Sequence, residues 1–189
     1  VALYALLRFK MLLAVNPTAL ASGPLMVTMG LISVIFAAFM LYRRRDIKRM
    51  FAYSSIEHMG IIVFAFGMGG PLANFAGLLH MTMHSLTKSA IFFAVGHIAQ
   101  AKGTQKIADM GGLTESNPVL GWGLVLGVVA IAGLPPLGIF MSEFLVDFCT
   151  EHEPSFGVTS QSEDDALVWR LVERGVQFNG VKDACILLQ

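Results

Sequence analysis

Three titratable side chains, His80, His84 and Lys88, recur at intervals of four residues within one apolar stretch. On an α-helix this spacing places them along one face over about 12 Å, at 1.5 Å per residue. An imidazole accepts a proton at one nitrogen and donates from the other, and a lysine inside an apolar span is costly enough to be rare. The stripe is therefore interpreted as a proton relay.

Two other interpretations of this stripe stay open. Both histidines could simply hydrogen-bond to neighbouring helices while Lys88 pairs with a carboxylate. Histidines at i and i+4 can also share a zinc ion, but the stretch has neither the glutamate of an H-E-x-x-H motif nor a nearby third ligand, so no metal site is predicted. The relay is preferred because three stacked ionisable groups exceed what packing requires.

A further acidic residue, Glu143, follows a double proline. Pro135 and Pro136 cannot donate backbone hydrogen bonds, so the Gly-Leu-Pro-Pro-Leu-Gly run at 133–138 predicts a break within a helix. Unpaired backbone groups survive at membrane depth only beside protein or water. Glu143 either lies beside a hydrated pocket and joins the relay, or marks an ordinary kinked helix end at the membrane interface.

Charged residues also precede the stripe. Asp46, Lys48 and Arg49 are explained by a charged loop at a helix junction, with Lys48 kept as an alternative relay or interfacial group. Glu57 and His58 are expected one to two turns into the following helix, where they form either the relay entrance or an interfacial pair.

These residues are embedded in a chain with the composition of a membrane protein. Of its 189 residues, 55% are hydrophobic and only 14% are charged, against about 25% charged in an ordinary soluble domain. Residues 11–42 and 118–142 contain no charged side chain, and about 20 apolar residues suffice to cross a bilayer. The predicted fold class is all-α: a polytopic membrane helix bundle with one proline-broken transmembrane helix.

The predicted elements follow from apolar runs and the residues that end them. They are a leading half-helix at 1–15, whole spans at 24–42, 50–68 and 72–100, and the broken helix at 118–148. Basic residues cluster at 43–49, and Lys102 and Lys106 follow two crossings later, so both loops are predicted to face the cytoplasm. The chain is expected to be a multi-pass protein of the cell inner (plasma) membrane.

Several functional classes are excluded by missing motifs. The sequence has no G-x-G-x-x-G or Walker pattern, and Cys149 and Cys185 lack the paired spacing of zinc or iron–sulfur sites. We therefore expect no cofactor, no redox centre in this chain and no nucleic-acid partner.

Motifs from several parts of the chain together resemble the proton-conducting membrane transporter family. They are Asp-Ile-Lys-Arg at 46–49, Ser-Ser-Ile-Glu-His at 54–58, the His-x3-His-x3-Lys stripe, the Leu-Pro-Pro break and Phe-Met-Ser-Glu-Phe at 140–144. This family includes antiporter-like subunits of respiratory complex I, Mrp-type cation/proton antiporter subunits, and hydrogenase-4 or formate hydrogenlyase membrane subunits. The Ser-Ser-Ile-Glu-His run is most similar to the F-type branch of the hydrogenase-4 membrane subunits.

The resemblance implies a proton-translocating transmembrane subunit of an NADH:quinone oxidoreductase-like or hydrogenase-4/formate hydrogenlyase complex. Protons would move along a mid-membrane row formed by His80, His84, Lys88 and Glu143, driven by redox chemistry in partner membrane and peripheral subunits. The alternatives are an Mrp-type antiporter subunit, with sodium as a second ion, and a non-conducting membrane scaffold for a redox complex.

Both ends of the chain depart from the family pattern. The family's key lysine would lie just before Val1 and an upstream glutamate–lysine pair is missing, so the chain is treated as a fragment that holds the outlet half of one channel. Residues 1–146 are assigned to the antiporter-like domain, and 147–189, with eight acidic and three basic residues, to a polar tail. Residues 164–178 could form an amphipathic helix, but a sequence junction unrelated to the body is preferred.

Overall fold

The computed structural model describes residues 2–14 and 22–152, and the regular structure in these ranges is helical. The α-helices in chain order are α1 (Ala2–Ala14), α2 (Ser22–Leu41), α3 (Ile47–Met68), α4 (Pro71–Lys102), α5 (Leu113–Ser116), α6 (Pro118–Ile131) and α7 (Gly138–His152). A 3₁₀ turn, Ile107–Asp109, precedes α5. Within the described ranges there is no β-strand, only an isolated bridge between Asp46 and Lys106. The all-α prediction is confirmed.

Each predicted span corresponds to a helix with similar bounds. Helices α2 and α3 are long and apolar enough to cross a membrane by length and composition. Helix α4 has 32 residues, or about 48 Å at 1.5 Å per residue, which exceeds the roughly 30 Å hydrocarbon core of a bilayer. Helix α7 continues to His152, past the predicted domain boundary at 146. The remainder of the predicted tail, including 164–178, lies outside the described residues.

The helix ends follow from local capping. Asp46 caps α3 by accepting a hydrogen bond from the Arg49 amide at 3.0 Å, which starts the helix at Ile47, three residues before the predicted span. The expectation that Glu57 and His58 lie one to two turns into this helix is therefore wrong. They lie near its middle, roughly three turns from its start.

The double proline separates α6 from α7, as predicted. Helix α6 ends at Ile131 and α7 begins at Gly138, and the Pro135–Pro136 peptide bond between them is cis. Gly133 turns the chain away from α6 with a φ of +64°, a conformation that glycine adopts without a steric cost. The break sends α7 back towards α4, with which it packs.

Helix α3 packs between α2 and α4. Its contact with α2 depends on glycine: a Cβ at Gly30 would lie 2.8 Å from the Gly60 carbonyl oxygen, and one at Gly60 would lie 2.9 Å from that of Gly30. On its other side, Phe51 packs against Ile91 and Val95 of α4 in the largest buried cluster. This close packing places the middle of α3 directly beside α4.

The two basic loops lie side by side at one end of the bundle. The Ile47 amide donates to the Gln105 carbonyl and the Ile107 amide donates to the Arg45 carbonyl, each at 3.0 Å. At the opposite end of α3, Lys10 of α1 donates to the Phe66 carbonyl, one of the last carbonyls of the helix and without an intrahelical donor. The structure thus places both basic loops on one side, as the predicted topology requires.

Large apolar side chains cover much of the outer surface. Phe39, Phe93, Val119 and Trp122 are each more than 60% exposed. Exposed apolar area of this extent marks contact with lipid or with neighbouring apolar helices.

Candidate proton-relay site

Helices α3, α4 and α7 bring the titratable residues together. His58 comes from α3, the stripe His80, His84 and Lys88 from α4, and Glu143 from the second turn of α7. His58 and all three stripe residues are buried; His80 is 0% exposed and Lys88 4%. The predicted stripe therefore faces the inside of the bundle, where α3 and α7 cover it.

The three histidines form one compact cluster. His58 Nδ1 lies 3.1 Å from His80 Nε2, within hydrogen-bond distance. The ring centroid of His58 lies 5.2 Å from that of His80 and 5.2 Å from that of His84. The rings of His80 and His84 are nearly parallel, with centroids 6.5 Å apart. His58 thus contacts both stripe histidines from the facing helix.

Lys88 binds to the backbone of α3. Its Nζ donates a hydrogen bond to the Phe51 carbonyl at 3.0 Å and lies 5.0 Å from the centroid of the Phe51 ring. The Ser55 hydroxyl donates to the same carbonyl at 3.0 Å. The ammonium group is therefore held between a polarised carbonyl and an aromatic face, both of which stabilise a positive charge.

Glu143 lies on the other side of the histidine cluster. Its Oε1 is 3.9 Å from His58 Nδ1, and its side chain is 21% exposed, against 7% for His58. The carboxylate packs against the Cα of Gly133, where an added Cβ would overlap Oε2. The acidic residues Glu57 and Asp147 are its neighbours. Glu143 therefore lies at the boundary between the buried cluster and the surface of the chain.

The other predicted residues are placed differently. Lys48 is exposed in the first turn of α3, at the basic end of the bundle, and is not part of the cluster. Glu57 is 5% exposed and precedes His58 on the same helix. Pro135 and Pro136 are exposed in the segment that joins α6 to α7.

One residue of the cluster, Ser142, was not predicted from the sequence. Its side chain is 0% exposed, and its Oγ lies 2.9 Å from His80 Nδ1 and 2.8 Å from the Ile139 carbonyl. The available signal was its place beside Glu143 in the Phe-Met-Ser-Glu-Phe motif at 140–144. Nothing in that motif indicates that the serine reaches a histidine 62 residues earlier.

The cluster also brings together a set of three potential metal ligands that differs from the His80–His84 pair. His58, His80 and Glu143 each offer one ligand atom, and these atoms lie within 4.8 Å of one another. However, His58 Nδ1 and His80 Nε2 are already at hydrogen-bond distance, so one proton between the two nitrogens satisfies them. The geometry as it stands is that of a proton-sharing pair.

Comparison with known proteins identifies the family. The model of the family described as "NADH:quinone oxidoreductase/Mrp antiporter, TM" matches residues 1–153. The chain belongs to this family. The members of this family are transmembrane proteins, which confirms the predicted multi-pass location in a membrane.

Relatives within the family come from several respiratory complexes. The chain is 77% identical over 146 residues to the hydrogenase-4 component F homolog of Methylacidiphilum infernorum (isolate V4), covering 77% of this chain and 31% of that protein. It is 33% identical over 147 residues to NADH-quinone oxidoreductase subunit M of Escherichia coli (strain K12), covering 78% and 29%. The first relative confirms the predicted similarity to the F-type branch of the hydrogenase-4 membrane subunits.

A solved structure shows the same arrangement of helices. The structure of the membrane-bound sulfane sulfur reductase, an archaeal respiratory membrane complex, matches with a TM-score of 0.71 and 27% identity over 88% of this chain and 31% of the matched chain. The family members are thus subunits of multi-subunit membrane complexes. The chain spans about a third of the length of the relatives it matches.

Proposed function

We propose that the chain is part of a proton-translocating transmembrane subunit of a hydrogenase-4-type or NADH:quinone oxidoreductase-like complex in the cell inner membrane. Protons pass between Lys88 and Glu143 through the three histidines, and redox chemistry in partner subunits drives them. The observation that carries this proposal is the buried His58–His80 hydrogen bond, with Lys88 on one side of the cluster and Glu143 on the other.

The distances in the cluster suit stepwise proton transfer. Transfer between two groups requires hydrogen-bond reach or one bridging water, and the 3.1 Å between His58 and His80 meets the first condition. The 3.9 Å between His58 and Glu143 closes to hydrogen-bond distance with a carboxylate movement of about 1 Å. Both steps therefore need only small displacements.

The step between the histidines and Lys88 involves His84. Neither ring nitrogen of His84 has a hydrogen-bond partner among the described residues, although its side chain is only 3% exposed. An unsatisfied buried polar group costs about 1–3 kcal/mol, and buried waters commonly satisfy such groups. A water molecule bound to His84 would connect it to the neighbouring side chains.

A non-conducting scaffold is the second candidate, and one observation favours it. The hydrogen bond from Lys88 to the Phe51 carbonyl joins α4 to α3, which is the contact that a purely structural lysine would make. In that case the charged residues would stabilise the helix bundle without exchanging protons.

Replacement of Glu143 by Gln distinguishes the two candidates. The full-length subunit carrying Glu143→Gln would be assembled with its partner subunits, reconstituted in vesicles and followed by a pH-sensitive dye during electron transfer. We expect normal assembly and a fall in proton translocation of about 10²-fold, within the usual range for loss of a proton-transferring group, because an amide cannot take up and release a proton.

The matched control is Glu115→Gln, which alters an exposed carboxylate on α5. It should translocate protons as the unaltered complex does. Full proton translocation by Glu143→Gln would contradict the relay and would favour the non-conducting scaffold. Repeating the assay without sodium tests the Mrp-type alternative, because a sodium antiporter would lose sodium-driven pH changes whereas a proton relay would keep its translocation.

A further inference from the structure

Ser142 makes two hydrogen bonds whose directions can be assigned from their partners. Its Oγ lies 2.8 Å from the Ile139 carbonyl oxygen and 2.9 Å from His80 Nδ1. A hydroxyl has one hydrogen, and a carbonyl oxygen can only accept. The Ser142 hydrogen must therefore point to Ile139, since two lone pairs would otherwise face each other at 2.8 Å. His80 Nδ1 then carries a hydrogen and donates it to Ser142.

The direction of the next hydrogen bond, between His80 and His58, follows from this tautomer. A neutral imidazole has one donor and one acceptor nitrogen, so His80, with its hydrogen on Nδ1, presents a lone pair at Nε2. His58 Nδ1, 3.1 Å away, must then be the donor. The hydrogen-bond chain thus runs from His58 through His80 and Ser142, and it ends at the Ile139 carbonyl, which cannot pass a proton on.

We propose that Ser142 is a positioning residue that holds His80 with its Nδ1 protonated, so that His80 exchanges protons through Nε2, where His58 is its hydrogen-bond partner. This inference rests on the proposed proton relay and refines its path. His80 is a side branch that stores and returns a proton, and His58 passes protons directly to Glu143, whose Oε1 lies 3.9 Å from the same Nδ1.

The transfer steps balance without any other reactant. When a proton binds Nε2 of His58, His58 becomes an imidazolium with a hydrogen on each ring nitrogen. Breaking its Nδ1–H bond and forming an Nε2–H bond on His80 stores the proton there as an imidazolium, and the reverse transfer returns it to His58 Nδ1. Breaking the same Nδ1–H bond and forming an O–H bond on Glu143 passes the proton on and leaves His58 neutral, with its hydrogen on Nε2. A shift of that hydrogen from Nε2 to Nδ1 resets His58 for the next proton.

The experiment combines a tautomer measurement with proton translocation in the assembled complex. Nitrogen-15 solid-state NMR of histidine-labelled complex, with the His80 signals assigned by their loss in His80→Asn, reports which ring nitrogen carries the hydrogen. We expect a protonated Nδ1 and an unprotonated Nε2 in the unaltered complex. In Ser142→Ala the Nδ1 loses its acceptor, so a second tautomer should appear and translocation should slow by about tenfold, the effect of losing a hydrogen bond to a charged group.

Two matched variants separate positioning from general packing. Ser142→Thr keeps a hydroxyl that can bond back to the helix carbonyl and should restore both the Nδ1–H tautomer and translocation. Ser33→Ala removes a hydroxyl that, in the described part of the chain, bonds within its own helix, at 2.8 Å from the Met29 carbonyl, and should change neither. A hydrogen on Nε2 of His80 in the unaltered complex would overturn the inference even if Ser142→Ala failed to assemble.

The tautomer measurement on His80 and the Glu143→Gln test can fail independently of each other. If Glu143→Gln stops translocation but His80 carries its hydrogen on Nε2, the relay stands and the role of Ser142 is wrong. If His80 has the expected tautomer but Glu143→Gln translocates normally, the hydrogen-bond direction is correct and the proton path through Glu143 is wrong. Unchanged tautomer and translocation in Ser142→Ala would also overturn the inference.

Discussion

Replacing Gly133 by Ala should displace the Glu143 carboxylate from the histidine cluster. The added Cβ would overlap Glu143 Oε2, whereas ordinary contact requires at least 3.4 Å. The carboxylate is the free end of a flexible side chain, so it would retreat by roughly 1 Å and the fold would be kept. A displacement of this size at a reacting group can lower a rate by about 10²-fold, so translocation should fall towards the level of Glu143→Gln.

The backbone cost of this substitution must be separated from its effect on Glu143. Gly133 has a φ of +64°, and an alanine in the left-handed region costs about 1–2 kcal/mol. Gly103 provides the control: its φ is +66°, and an added Cβ would meet no atom within 4 Å among the described residues. Gly103→Ala should therefore lose the same stability as Gly133→Ala but keep its proton translocation.

The assay compares the two variants in the full-length subunit within its complex, after reconstitution in vesicles. Assembly is measured first, then electron transfer and dye-reported proton translocation for equal amounts of assembled complex. Equal translocation by Gly133→Ala and Gly103→Ala would refute the reasoning, because it would show that the position of the Glu143 carboxylate does not affect proton transfer.

Two further predictions concern Lys88 and the contact between α2 and α3. Lys88→Met should assemble, because Ser55 still donates to the Phe51 carbonyl, but it should reduce proton translocation by at least about tenfold. Lys102→Met, which alters an exposed lysine, should leave translocation unchanged. Equal translocation by both variants would exclude Lys88 from the proton path. Gly30→Ala should lower the melting temperature of the detergent-solubilised complex, because its Cβ would lie 2.8 Å from the Gly60 carbonyl, at a cost of about 1–3 kcal/mol. In Gly123→Ala the added Cβ meets nothing within 4 Å among the described residues, so this variant should gain up to about 1 kcal/mol of helix stability. A similar fall in melting temperature in both variants would show that the Gly30–Gly60 contact is not the cause.

The helices could be predicted from the sequence because their signals are local. Apolar runs of sufficient length, the glycines and prolines that end them, and the double proline at 135–136 all act within a few residues of their own positions. The His80–His84–Lys88 stripe was predictable for the same reason, since the period of one helix places these side chains on one face. The predicted start of α3 is three residues too late, because the sequence pattern indicates only a charged loop at Asp46, whereas Asp46 caps the helix.

The partners of the stripe could not be predicted, because they come from other helices. His58 reaches His80 across 22 residues, Lys88 reaches the Phe51 carbonyl across 37, and Ser142 reaches His80 across 62. The sequence period shows which face of each helix is polar, but not how far one helix is rotated or shifted along the next. That relative position is decided by side chains and glycines packing at the interfaces, such as Gly30 against Gly60. It alone determines that His58 lies close to both His80 and Glu143.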